Sequence, residues 1–153
     1  SLRRNTPWGG GRAAPPPGSP GTLVVLEDDA RPESGAVGHL LGQLDLLGSM
    51  GLEPELVFGH SSLYERPGAE RAVPGTDCVL AGHRKLTDFY AVTRAGAARL
   101  AGCGLRDEVL PVDDFLPAVC AGSSHPRPDV MRLACVSAAR ADGGGLRAYA
   151  VKD

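Results

Sequence analysis

The sequence predicts an α/β domain, and three observations carry that expectation. A short β-branched run, Thr22-Leu23-Val24-Val25-Leu26, is followed at once by three carboxylates and then by apolar residues at helical spacing. A second pairing of the same kind places Phe89-Tyr90-Ala91-Val92 ahead of a helix rich in small residues. The composition suits one core: 153 residues, 42% hydrophobic and 22% charged, with only 5% aromatic. No run approaches the roughly 20 apolar residues of a bilayer span, and no basic-then-apolar leader opens the chain. With 16 Lys and Arg against 18 Asp and Glu, the net charge of −2 lacks the basic excess of a nucleic-acid binder.

Residues 1–21 hold Gly9-Gly10-Gly11 and Pro15-Pro16-Pro17 and read as a linker or disordered lead, because neither helix nor strand tolerates such runs. The domain is expected over residues 22–153. Its first strand, Thr22–Leu26, has the composition of a strand buried on both faces of a parallel sheet. Pro32 and Glu33 then supply a helix start, and Val37, Leu40, Leu41, Leu44 and Leu47 form its apolar stripe up to Gly51. A second strand is expected at Glu55–Phe58, and Gly59–Pro74 reads as an exposed loop. After the strand Phe89–Val92, Thr93 caps a helix of Ala95, Ala97, Ala98, Arg99 and Leu100 closed by Gly102, with Gly96 and Ala97 small enough for close packing on a sheet. In Pro111-Val112-Asp113-Asp114-Phe115-Leu116-Pro117, Asp113 takes the helix N-cap position. Beyond it the chain reads as loop except for the apolar stretch Val130–Val136, until a last strand at Leu146–Val151.

The chemistry sits in two acidic segments. Glu27, Asp28 and Asp29 are adjacent carboxylates at a strand C-terminus, where like charges repel unless a cation neutralises them. Hard oxygen ligands at that end of an α/β sheet suit Mg²⁺ or Mn²⁺ holding a diphosphate. The spacing Glu27-x-Asp29 gives both outer side chains similar directions. The alternative is a solvated turn whose last Asp helps start the following helix. Four cysteines (Cys78, Cys103, Cys120, Cys135) lack C-x-x-C spacing and fit buried thiols or disulfides equally. His39, His60, His83 and His125 are scattered without ligand spacing and default to surface or loop positions, although His60 and His83 flank strand blocks and either could lie near a pocket rim.

The order of segments resembles glycosyltransferase family 25, and within it the procollagen galactosyltransferase branch. Leu23-Val24-Val25-Leu26-Glu27-Asp28-Asp29 looks like the family's strand ending in E-D-D, and Glu55-Leu56-Val57-Phe58-Gly59 is similar to its next strand. The run from Phe89 to Leu100 looks like its A-Y-x-I-S-x-x-G-A-x-K-L block. Leu110–Pro117 resembles L-P-V-D-E-F-L-P, with Asp114 in place of the more usual Glu, and Gly145–Val151 resembles a later strand. The resemblance implies a GT-A-type, Rossmann-like nucleotide-sugar transferase fold, shortened here by the half that precedes the E-D-D strand.

It also implies metal-dependent, inverting transfer of galactose from UDP-galactose to an acceptor hydroxyl, hydroxylysine of a collagen-like protein in this branch or a lipopolysaccharide sugar in bacterial relatives. Asp29 would be the firmest ligand to Mn²⁺ or Mg²⁺, with Glu27 and Asp28 assisting or touching the nucleotide. Asp113 would be the catalytic base, with Asp114 beside it, although a helix cap accounts for Asp113 equally well. The compartment implied is the endoplasmic reticulum lumen. The other outcome is a non-catalytic remnant that serves as a binding module.

Overall fold

The computed structural model describes residues 21–63, 70–82, 84–104, 110–120, 127–141 and 144–152. The lead over residues 1–20, His83 and His125 lie outside them. Five strands make one mixed sheet: β1 (Thr22–Leu26), β2 (Leu56–Leu63), β3 (Cys78–Leu80), β4 (Arg84–Thr93) and β5 (Ala148–Val151), in the spatial order β1-β4-β2-β5-β3. Only β2 and β5 run parallel; β4 is antiparallel to both β1 and β2. On one face lies helix α1 (Ala36–Ser49), and on the other α2 (Arg94–Gly102), α3 (Val112–Val119), α4 (Pro128–Met131) and α5 (Ala134–Arg140).

Strand alternation divides the core accordingly. Leu56, Phe58, Ala148 and Ala150 join Phe115, Leu116, Val119, Val130 and Val136 beneath the multi-helix face, whereas Val57, Ala91, Tyr149 and Val151 meet Leu40 and Leu47 of α1. On the multi-helix side the rings of Phe58 and Tyr90 meet edge to face, with centroids 6.3 Å apart.

The alignment of elements with expectation is close but not complete. β1 is an edge strand antiparallel to its one neighbour, and Leu23 and Leu26 are 55% and 46% exposed, so the expected burial on both faces of a parallel sheet is not what forms. Helix α1 starts at Ala36 rather than near Pro32, because Gly35 takes a left-handed φ of 88° just before it. It ends where expected, with Gly51 at φ 74°. β2 continues to Leu63 through the segment expected as loop, and β3 was not foreseen. Pro111, not Asp113, is the N-cap of α3; Asp113 lies in the helix's first turn, where its charge faces the positive end of the helix dipole. Helices α4 and α5 occupy the stretch read mainly as loop: they are four and seven residues long, too short to show a clear period.

Thr93 caps α2 as expected, its hydroxyl accepting from the Gly96 N–H at 3.3 Å. The same turn is tied to a buried carboxylate. Glu55, 4% exposed, accepts from the Arg147 N–H at 2.9 Å and has the Arg99 guanidinium 3.5 Å away. Its carbonyl takes the Thr93 N–H, so one residue joins the starts of β2 and α2 to the approach of β5. Gly96 packs directly on that carbonyl, and a Cβ there would overlap the Glu55 oxygen. All four cysteines are buried free thiols, and burial pushes the Cys120 thiol up to about 12.

Two outcomes follow from this packing. Gly96→Ala forces α2 off the sheet and lowers unfolding free energy by about 1–3 kcal/mol, measurable by urea denaturation. In the native protein the four thiols stay unreactive toward an aromatic disulfide reagent, and all react once the chain is unfolded in denaturant.

Candidate active site

The site is set by register. β4 lies between β1 and β2, with Phe89 opposite Leu26 on one side and opposite His60 on the other. The next residue on each strand is then delivered to one neighbourhood, at the end of β1 and midway along β2 and β4. The Glu27 N–H donates to the Asp88 carbonyl at 2.9 Å, extending the β1–β4 ladder by one bond. On the other flank the pairing skips from Phe58 opposite Tyr90 to His60 opposite Phe89, a bulge centred on Gly59. Glycine is required there because a Cβ would overlap the buried Phe89 ring. The bulge brings His60 beside Asp88, with Nδ1 and Oδ2 2.7 Å apart.

Glu27 feels four other carboxylates here. The Glu27 carboxyl is held above its ordinary range, first by burial and then by the charges of Asp113, Asp29, Asp88 and Asp28. Asp113, brought over from the first turn of α3, exerts the largest of those charge effects. Tyr90 senses the same centre: burial and then the Glu27 charge push its hydroxyl up. The structure thus brings the two acidic segments together, as the sequence reading required if both serve one site. Asp28 and Asp29 are exposed, while Glu27 and Asp113 are half-buried.

Asp114 has a different setting, 2.9 Å from the Arg127 guanidinium, which also holds Asp129 at 2.7 Å. That contact ties the start of α3 to the start of α4 and suits a structural part for Asp114. Beside the acidic turn is a cavity of about 470 Å³ lined by residues that include Arg31, Glu33, Gly59, His60, Asp88 and Phe89. Composition and spacing gave none of these residues a role. Arg31 and Glu33 fall in the helix lead, and Asp88 and His60 are 28 positions apart and meet only through the strand register.

A divalent cation fits the donor set by charge. Clustered carboxylates with one titration already raised are what a hard cation neutralises. Among the described residues no group of three or more His, Cys, Asp or Glu side chains is placed to hold a metal ion by itself. One or two carboxylates from the turn would therefore share the ion with phosphate oxygens, the usual manner of Mg²⁺.

Comparison with known proteins gives the family. Procollagen galactosyltransferase 2 of Homo sapiens is 31% identical over 104 residues, 67% of this chain and 16% of that protein, and its Mus musculus counterpart matches to the same extent. Inactive glycosyltransferase 25 family member 3 of Homo sapiens is 34% identical over 106 residues, 68% of this chain and 17% of that protein. No family model matches the chain, and no solved structure does. A mixed five-stranded α/β sheet and relatives of these names define a glycosyltransferase-type domain. Within that class, the chain is a partial glycosyltransferase family 25-like domain. It spans about one sixth of the length of the relatives it matches.

The raised Glu27 carboxyl fixes the direction of a pH effect. The folded state holds that proton more tightly than the unfolded chain does, so this group's contribution falls as pH rises through the window from its ordinary value to its raised one. Glu27→Gln removes the repulsion. Its Tm at pH 7 should exceed that of the parent chain, and the difference should shrink below that window, where Glu27 is protonated in both states. Calorimetric scans across pH check both.

Proposed function

We propose that the domain transfers galactose from UDP-galactose to an acceptor hydroxyl, with inversion at the sugar carbon and with Mn²⁺ or Mg²⁺ at the acidic turn. The observation that carries this reading is the meeting of Glu27, Asp28 and Asp29 with Asp113 at the end of β1, in a chain similar to proteins named procollagen galactosyltransferase. In this reading the sheet and its two helical layers are part of a GT-A-type fold.

The residues divide the work by position. Asp29, exposed at the tip of the turn, is the principal metal ligand, with Glu27 and Asp28 completing the donor set or touching the nucleotide. When bound, the cation neutralises the charge that gathers on the departing diphosphate. Asp113 takes the proton from the acceptor hydroxyl as that oxygen attacks the sugar carbon and the diphosphate leaves. Asp114, paired with Arg127, fixes the helix start that carries Asp113. The acceptor is a hydroxylysine of a collagen-like protein, in keeping with the names of two relatives, and the work is placed in the endoplasmic reticulum lumen.

A second reading is favoured by one comparison, since a relative 34% identical bears the name of an inactive family member. There the sheet and cavity persist as a binding module without transfer.

Titration calorimetry of UDP into the folded chain, with and without Mn²⁺, separates the two. Transfer requires affinity that depends on Mn²⁺ and falls at least tenfold in Asp29→Ala, whose exposed position leaves the fold intact by circular dichroism. A folded chain with no affinity for UDP in either condition removes the first reading and leaves the second.

A further inference from the structure

The cavity beside the acidic turn has a mixed lining, polar side chains set among apolar ones, that the transfer chemistry above does not use. Its wall carries one guanidinium, Arg31, two carboxylates, Glu33 and Asp88, and the imidazole of His60, over a floor that includes Gly59 and Phe89. The imidazole has a defined orientation. Asp88 as a carboxylate can only accept, so the proton between Oδ2 and Nδ1, 2.7 Å apart, belongs to Nδ1. In the Nδ1–H tautomer the lone pair lies on Nε2, which has no partner among the described residues, and the side chain is 52% exposed. A fixed ring with its acceptor nitrogen unengaged is poised to take a hydrogen bond from a ligand hydroxyl.

The lining discriminates among ligand classes. A diphosphate is disfavoured because Asp88 and Glu33 are negative and the Glu27–Asp29 turn adjoins through Ala30. A large apolar ligand finds only small or largely buried apolar groups in the lining: Ala30, Pro32, Ala36 and Phe89. A neutral polyhydroxylated ring offers donors to Asp88, Glu33 and Nε2 and an acceptor to Arg31, with no net charge to desolvate. About 470 Å³ lies within the range of small-molecule sites, roughly 300–1,000 Å³.

We propose that this cavity is a pyranose subsite in which His60, oriented by Asp88, accepts a hydrogen bond from a sugar hydroxyl. Assignment of that sugar as the hexose being transferred, or as a sugar on the acceptor, rests on the transferase reading. The subsite itself does not. His60 is here a binding residue and Asp88 its positioning residue.

The test uses the folded chain, ¹⁵N-labelled, without nucleotide or metal. Long-range ¹H–¹⁵N spectra should show His60 as the Nδ1–H tautomer, and free galactose should shift the His60 ring nitrogens and the Gly59 amide saturably, with millimolar affinity. Asp88→Asn, which leaves the carbonyl bond to Glu27 in place, should lose the tautomer and weaken galactose about fivefold, the size of one hydrogen bond. His60→Ala should abolish the saturable shift at Gly59. An Nε2–H tautomer in the parent chain, no saturable shift up to the solubility of galactose, or unchanged affinity in His60→Ala would each overturn the proposal. UDP-galactose with Mn²⁺ then separates the sources: it displaces free galactose if the donor sugar occupies the cavity and binds beside it if an acceptor sugar does. A chain that binds galactose but not UDP retains the subsite and loses the transferase reading, whereas one that binds UDP but not galactose does the reverse.

Discussion

The placement of β4 between β1 and β2 is the constraint on which the remainder of the molecule depends. Because Phe89 pairs with Leu26 on one flank and His60 on the other, the end of β1 and the middle of β2 and β4 are fixed within one neighbourhood. The bulge at Gly59 matters as much as the pairing. In an unbulged ladder His60 would be one position further along β4, and the 2.7 Å contact with Asp88 would be lost. The buried Phe89 ring, seated where any side chain at position 59 would stand, locks that irregularity into the core. Glu55 performs the matching task at the start of β2, where one buried carboxylate aligns β2, β5 and α2. The sheet is thus pinned at two places by groups that leave little freedom of register.

Against that fixed frame, the acidic end is electrostatically unfavourable. Glu27 is raised by burial and by four neighbouring carboxylates, a condition that hydrophobic burial elsewhere must offset. No requirement of the fold explains it: β1 is an edge strand with two leucines exposed, and a neutral residue at its end would pack equally well. Charge concentrated where stability does not benefit is an ordinary signature of a functional site. The cavity beside it is of another character, with a guanidinium and an imidazole set among its carboxylates, so that donors and acceptors are both present. A cation and phosphates at the turn, with a neutral ring alongside, would place a sugar–diphosphate bond across the boundary between the two.

Much of this was legible in the residues, and the parts that were not have physical causes. Helices α1 and α2, the strands around Thr22–Leu26 and Phe89–Val92, the Thr93 cap and the packing role of Gly96 follow from periodicity and capping chemistry, which are local. The edge position of β1 was not legible, since a run of β-branched residues has the same composition at an edge as at the centre of a sheet. Short helices such as α4 and α5 give too few turns for a period to register. The acidic turn and Asp113 were recognisable from their segments, but their convergence is a tertiary fact. His60 and Asp88 were invisible as a pair because only strand register and a bulge unite them, and a lone histidine in a polar stretch carries no signal of its partner.

In the proposed transferase, Glu27–Asp29, Asp88, His60 and Asp113 would form one site around the end of β1 and the middle of β4. Paramagnetic broadening by Mn²⁺ in the presence of UDP reads this directly from amide resonances of the folded chain. The account predicts that broadening centres on residues 27–29 and extends to Asp88, His60 and Asp113, while the Glu55 end of the sheet stays sharp. Broadening that spares Asp113 and Asp88, or that centres on another part of the surface, would contradict it.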